Sequence, residues 1–178
     1  MAGDCDFETL LLDNTLVAYW IGQPTPERLE AMVEQLRGAW RQHQEGVYLL
    51  NVITEDTGIP DTGTRRVIVE QFMSMRERLK ASAIVLEKKG IDGTMSRTIL
   101  STLVTISRRP FDMKVFPRRD TAATWLAEQG GASARSLTAA IDQLEVRLAS
   151  RVNAGPSSSN PKLRWSSGSN RPTASARP

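Results

Sequence analysis

The stretch 47–54, VYLLNVIT, constrains this chain more than any other. Its apolar residues run on without the alternation that would leave one side of a strand facing water, so the strand it forms is buried on both faces. Strands of that kind sit inside parallel sheets whose neighbours are joined by helical crossovers. The flanking segments suit this demand. Before it, QPTPERLEAMVEQLRGAWRQHQ carries Leu29, Met32, Val33, Leu36 and Trp40 at 3.6-residue spacing, with Thr25 as N-cap, Pro26 in the first turn and Gly46 beyond the end. That helix is predicted to run to about Gln44.

The remaining elements follow from the same patterns. Residues 7–12 (FETLLL) and 15–21 (TLVAYWI) read as strands, and Asp13-Asn14 between them favours a tight hairpin because both tolerate positive φ. After the central strand, the polar loop EDTGIPDTGT leads into a helix predicted over 64–80, with Val67, Ile68, Phe72, Met75 and Leu79 facing inward. SAIVLEK (82–88) reads as a strand, and a third helix, capped by Asp92 or Thr94, is predicted to about Ser107 with Met95, Ile99, Leu103 and Ile106 inward. FDMKVFP (111–117) is a strand and TAATWLAEQ (121–129) a short helix. Leu137, Ile141, Leu144 and Leu148 then mark an amphipathic helix over 133–151. The order β-β-α-β-α-β-α-β-α-α predicts an α/β fold: a mixed sheet of about five strands with an antiparallel edge hairpin and helices packed against it. From Asn153 onward the chain is rich in Ser, Pro, Asn, Gly and Ala and holds too little apolar surface to offset its ordering entropy. The expected organisation is an α/β domain over 1–130, an additional amphipathic helix over 131–152 and a disordered basic tail over 153–178.

Three places resemble the STAS domain family (sulfate transporter and anti-sigma factor antagonist; SpoIIAA-like), a group that grades into the lipid-binding CRAL-TRIO fold. The opening FETLLLDNTLVAYWIGQPTPERLEAM resembles the family's first hairpin leading into its first helix. YLLNVITEDTGIPDTGT occupies the place of the family's strand and D-S-S-G-like loop, and FDMKVFPRRDTAATWLAEQ is similar to its last strand and short helix with an A-x-x-W-L pattern. The resemblance covers residues 6–130 and implies a regulatory module that binds proteins. It also implies phosphoregulation at the loop, although the phosphorylatable serine of the anti-sigma factor antagonists is not matched. Thr62 and Thr64 flank Gly63 there, and Arg65-Arg66 open the helix.

Charge narrows the partners. The chain has 23 Lys and Arg against 20 Asp and Glu, yet every acidic residue lies at or before Glu145. Arg151, Lys162, Arg164, Arg171 and Arg177 are the basic residues after Ser150, so the basic excess belongs to the tail and a nucleic-acid-binding domain is not expected. Cys5 is the single cysteine and cannot form an internal disulfide, which fits a reducing compartment. Leu10–Leu12 is too short for a signal peptide or a membrane span, so the expected location is the cytoplasm. His43 is the sole histidine, CxxC, HxxxH and Walker patterns are missing, and no catalytic residue, metal or cofactor is expected.

The leading candidate site is the loop Asp61, Thr62, Gly63, Thr64, Arg65 and Arg66, at a helix N-terminus beyond the end of a central strand, where an anion is favoured. Its plainer reading is a capped loop. The stripe Leu137, Ile141, Leu144 and Leu148 is a second candidate, an interaction helix that either packs on the domain, pairs with another copy or enters a partner's groove. Arg108, Arg109, Lys114, Arg118 and Arg119 read as a solvated basic edge, with phosphates or an acidic partner as the alternative. Trp20, Trp40 and Trp125 fall on apolar periods and are expected in the core, whereas Trp165 stands in the tail within PKLRW. The favoured function is a non-catalytic bacterial regulator binding a protein such as a signalling kinase or a cytoskeletal or polarity component, with homo-oligomers as a further option. A small-ligand or lipid binder or enzyme using a cleft at the strand ends is the alternative, and weak nucleic-acid or membrane-surface binding through the tail is the third.

Overall fold

The computed structural model describes residues 7–75, 77–87 and 111–154. Five strands and four helices are seen among them: β1 (Phe7–Leu12), β2 (Thr15–Trp20), α1 (Pro26–Gln42), β3 (Val47–Ile53), α2 (Thr62–Ser74), β4 (Leu79–Leu86), β5 (Asp112–Phe116), α3 (Arg119–Glu128) and α4 (Ala134–Ala154). They form one mixed sheet in the order β1-β2-β3-β4-β5, with β1 antiparallel to β2 and every other pair parallel. The α/β fold and the edge hairpin predicted above are therefore present. Asp13 takes the positive φ of 48° that the two-residue turn needs. The helix expected to about Ser107 and the tail beyond Ala154 lie outside the described residues.

β3 is the middle strand, and Val47, Leu49, Leu50 and Val52 are fully buried. Successive side chains alternate between two cores. Leu49 joins Leu16, Ala18, Trp20 and Leu79 under α1, while Leu50 and Val52 join Val17, Tyr19, Ala81, Ala83 and Val85 under α3 and α4. α1 is capped as its sequence indicates, the Arg28 N–H donating to Thr25 Oγ1 at 3.4 Å. Phe7 stacks on Trp20 with ring centroids 4.5 Å apart, covering one end of the α1 side. Trp20 and Trp125 are buried and Trp40 is half-buried, in agreement with their apolar spacing.

Two expectations are corrected. The second helix is shorter than 64–80: it spans Thr62–Ser74, and Leu79 begins β4 instead of ending the helix. Helical periodicity continues to Leu79, but Leu79 pairs with Val47 and Arg78 accepts the Val47 N–H at 2.9 Å, so pairing with the central strand wins. The stripe Leu137, Ile141, Leu144 and Leu148 is not an open interaction face. All four are at most 1% exposed, packed with α3 and the β2–β4 side chains. Of the three alternatives, packing on the domain is the one observed, and α4 is part of the core.

The α3–α4 turn is tied to the far end of the sheet. Tyr48 Oη donates to Gln129 O at 2.8 Å, and Thr15 Oγ1 accepts the Ala132 N–H at 2.8 Å. Gly130 has φ of 102°, and a Cβ there would lie 2.7 Å from Tyr48 Oη. Among the described residues no helix is long and apolar enough to cross a membrane.

Gly130→Ala is expected to destabilise the protein by at least ~1–2 kcal/mol, the cost of a Cβ in the left-handed region before any clash is counted. Gly38→Ala, inside α1 with only Arg41 Nη2 at 3.8 Å from the new Cβ, is expected to stabilise by up to ~1 kcal/mol. Denaturant midpoints of both variants check the pair. Leu144→Ala is expected to cost ~2–5 kcal/mol by the same measurement; a loss near zero would refute α4 as a core element.

Candidate functional site

The parallel strands β2, β3 and β4 all end on one side of the sheet, and the segments leaving them build the site. The chain after β3 is held down at once. Thr54 Oγ1 and Thr57 Oγ1 both donate to the Trp20 carbonyl, at 2.9 and 2.7 Å, and both threonines are buried. Further along, Gln23 Nε2 donates to Ile59 O at 2.9 Å, leaving the Ile59 side chain 38% exposed at the tip.

Asp61 then caps α2, its Oδ1 accepting the Thr64 N–H at 2.7 Å. Its carboxyl is held below the usual carboxylate range chiefly by that backbone hydrogen bond. The two threonines expected at this loop differ sharply. Thr64 is 3% exposed, whereas Thr62 is exposed and its Oγ1 accepts from Arg65 Nη2 at 3.1 Å. Arg65 Nε also donates to Asp61 O at 3.3 Å, so Arg65 folds back over the first turn. Gly63 is exposed, and Arg66 points along the helix to Glu70 at 3.6 Å. Asp61, Thr62 and Arg65 are thus brought together; Thr64 bonds Asp61 from a buried position, and Arg66 points away to Glu70.

Beside this loop lies a cleft of about 530 Å³ lined by Tyr19, Ile21, Thr54, Glu55, Asp56, Glu87, Glu145, Leu148, Ala149 and Val152. It opens beyond the carboxyl ends of the strands, the usual place for a ligand in an open α/β sheet. One wall is apolar, from Ile21 and the last turns of α4, and the other is acidic. Behind the cleft sits Arg119. Its Nε and Nη2 reach the two oxygens of Glu87 at 2.5 and 3.0 Å, Nη1 reaches Glu145 Oε2 at 2.5 Å, and Nη2 donates to Tyr19 Oη at 3.0 Å. The guanidinium carbon also lies 5.4 Å from the Tyr19 ring centroid.

Arg119 was expected on a solvated basic edge. Its side chain is instead 23% exposed and joins β2, β4 and α4 through one group. Hydrogen bonding to Glu87 raises its already high pKa, and hydrogen bonding to Arg119 lowers that of Glu145. The other members of that edge part company: Arg118 pairs with Asp120 at 2.6 Å, Lys114 Nζ lies 5.0 Å from the Trp125 ring, and Arg108 and Arg109 lie outside the described residues. Sequence reasoning missed Tyr19, Glu87 and Glu145. A signal for Glu145 existed, since it lies four residues after Ile141 and borders the buried stripe of α4. Glu87 and Tyr19 carried none. Among the described residues no three His, Cys, Asp or Glu side chains are grouped to hold a metal ion.

Tyr19 is pushed up to about 12, mainly by burial. Between the ordinary tyrosine value of 10.0 and about 12 the folded chain holds a proton that the unfolded chain has released. Stability from this group is therefore complete below the unfolded value and falls as pH rises through that window. For Glu145 the sign is opposite: its contribution is present above the usual carboxylate value of 4.5 and is lost as pH drops through its lowered folded value. Unfolding midpoints against pH should show both flanks, Tyr19→Phe flattening the alkaline one and Glu145→Gln the acid one. Phenolate absorbance should assign the titration near 12 to Tyr19, one of two tyrosines.

A comparison with curated proteins gives no match. A family model described as SpoIIAA-like matches residues 15–127, from the first residue of β2 to the last turn of α3. With that match over well more than half of its length, and with the mixed five-stranded sheet in place, the chain belongs to the SpoIIAA-like family.

Proposed function

We propose that this protein is a non-catalytic regulatory module that binds a protein partner through the loop between β3 and α2, and that phosphorylation of Thr62 switches the binding. The observation that carries this reading is the pairing of Thr62 and Arg65 on the first turn of α2. An exposed hydroxyl there already accepts a hydrogen bond from a guanidinium, and a phosphate on it would meet that cation and the positive end of the helix dipole. The exposed Ile59 a few residues away supplies an apolar contact for a partner. Membership of the SpoIIAA-like family supports a regulatory role of this kind. Thr64, buried at 3%, is not a candidate for the switch, because an acidic replacement there would have to enter the core. The partner class we favour is a signalling kinase or a cytoskeletal or polarity component in the cytoplasm.

The cleft supports a second reading, binding of a small ligand. Its volume of about 530 Å³ is within the ordinary range of ligand pockets. Four carboxylates on its lining suit a cationic group and oppose the anionic head of a lipid.

Affinity capture of the tagged chain from its own cells, followed by titration of the protein recovered, tests the first reading. Thr62→Glu is expected to change the Kd by roughly tenfold or more, about 1.4 kcal/mol, while Thr62→Ala leaves it near the wild-type value. Phosphopeptide mapping should find phosphate on Thr62. Equal affinities for all three forms would end the switch reading.

A further inference from the structure

We infer that a second cavity, on the α1 and α2 side of the sheet, binds a small uncharged molecule with an apolar body and one hydrogen-bond acceptor, and that Asn51 recognises the acceptor. Asn51 is the one amide in the apolar run of β3, and it is only 6% exposed. Strand alternation turns it to the same face as Leu49 and Ile53. A buried amide is costly unless its polar atoms are paired. One end of this amide is paired, since Oδ1 accepts from Trp20 Nε1 at 3.4 Å. An indole nitrogen only donates, which fixes the orientation of the amide. Nδ2 is thus left with no partner among the described residues, and Asn51 lines a cavity.

The cavity has a volume of about 70 Å³. Its walls are Leu29 and Met32 of α1, Ile68 and Phe72 of α2, and Ile53 and Ile84 of the sheet. Leu29, Met32 and Ile84 are buried, whereas Ile53, Ile68 and Phe72 are half-buried and mark where the cavity meets the surface. The sheet separates it from the acidic cleft: Trp20 belongs to the core under α1, and Tyr19 of the cleft to the core under α3 and α4. Among the described residues that line the cavity none is charged. Thr57 also lines it, but its Oγ1 already donates to the Trp20 carbonyl at 2.7 Å.

These features select the occupant. A charged ligand would give up its hydration for walls that offer no counter-charge. Water fills such a space badly, because each buried molecule needs ~2–4 hydrogen bonds and the walls are aliphatic and aromatic. At about one probe sphere per water, the space takes roughly six water-sized groups, too few for a long acyl chain. A compact aliphatic molecule of that size gains by displacing poorly held water. A carbonyl, ether or hydroxyl oxygen on it accepts the Asn51 Nδ2 protons and satisfies the amide. This inference rests neither on the Thr62 switch nor on the acidic cleft; unchanged partner binding in the Thr62 variants would leave it standing.

Cyclohexanone and 2-pentanone are the probes, titrated into the isotope-labelled full chain and followed by NMR. Both are expected to bind saturably and to shift the Asn51 Nδ2 protons and the methyl groups of Leu29, Ile68 and Ile84. The methyl groups of Val17 and Val85, on the other face of the sheet, should stay in place. Asn51→Leu, close in size, is expected to weaken both ketones about tenfold. Xenon under pressure, an apolar probe without an acceptor, should still shift the cavity methyl groups in that variant. Ile68→Trp, at the half-buried rim, should abolish binding of all three probes. In the wild-type chain, with no substitution made, nuclear Overhauser contacts should join the Nδ2 protons to the bound ketone. Contacts from Nδ2 to water alone at saturating ketone overturn the inference, as does failure of both ketones to saturate. Equal ketone affinity in wild type and Asn51→Leu also overturns it, and binding that survives Ile68→Trp lies elsewhere and does the same.

Discussion

β3 exchanges backbone hydrogen bonds with β2 on one side and β4 on the other, and its apolar side chains are buried above and below the sheet. Each fully buried aliphatic side chain contributes ~1.5–3 kcal/mol relative to exposure, and β3 supplies four of them, Val47, Leu49, Leu50 and Val52. That gain exists only if both faces are covered. α1 and α2 cover one face, α3 and α4 the other, and the parallel neighbours seal the edges. Parallel pairing in turn brings the carboxyl ends of β2, β3 and β4 to the same side, which is what creates a cleft there at all.

Arg119 answers a problem that this arrangement creates. Glu87 leaves β4 and Glu145 leaves the buried edge of α4 close together at the strand ends, beside the buried Tyr19. Two carboxylates so placed would repel each other. A guanidinium offers enough N–H donors in one plane to serve both and the tyrosine hydroxyl as well. Breaking a fully buried pair costs ~3–5 kcal/mol. The cost here is smaller, because Glu145 keeps 49% of its side-chain surface in water. The cluster joins β2, β4, α3 and α4, and so fixes the shape of the cleft as well as its charge.

The loop after β3 combines anchoring with exposure. Thr54, Thr57 and Gln23 fasten its backbone, and Asp61 caps the helix that follows. Between these fixed points Ile59 and Thr62 remain outside. A recognition surface held on rigid supports loses less entropy when a partner binds than a free loop would. The same loop supplies Thr54, Glu55 and Asp56 to the cleft, so the two candidate surfaces share a wall, and events at one bear on the other.

Local patterning alone determined a good deal of this protein. The unbroken apolar run of β3, the Asp13-Asn14 turn, the Thr25 cap and the stripes of α1 and α4 are short-range signals, and each reports an element directly because its period or cap chemistry lies within a few residues. The loop of Asp61 to Arg66 was legible for the same reason. Tertiary structure alone decided that Leu79 joins a strand, that the α4 stripe belongs to the core, and that Thr62 is open while Thr64 is closed. It also decided that Arg119 meets Tyr19, Glu87 and Glu145. Those residues lie 100, 32 and 26 positions from Arg119, and a charge's partners at such separations depend on how the sheet and helices pack, which no local period encodes.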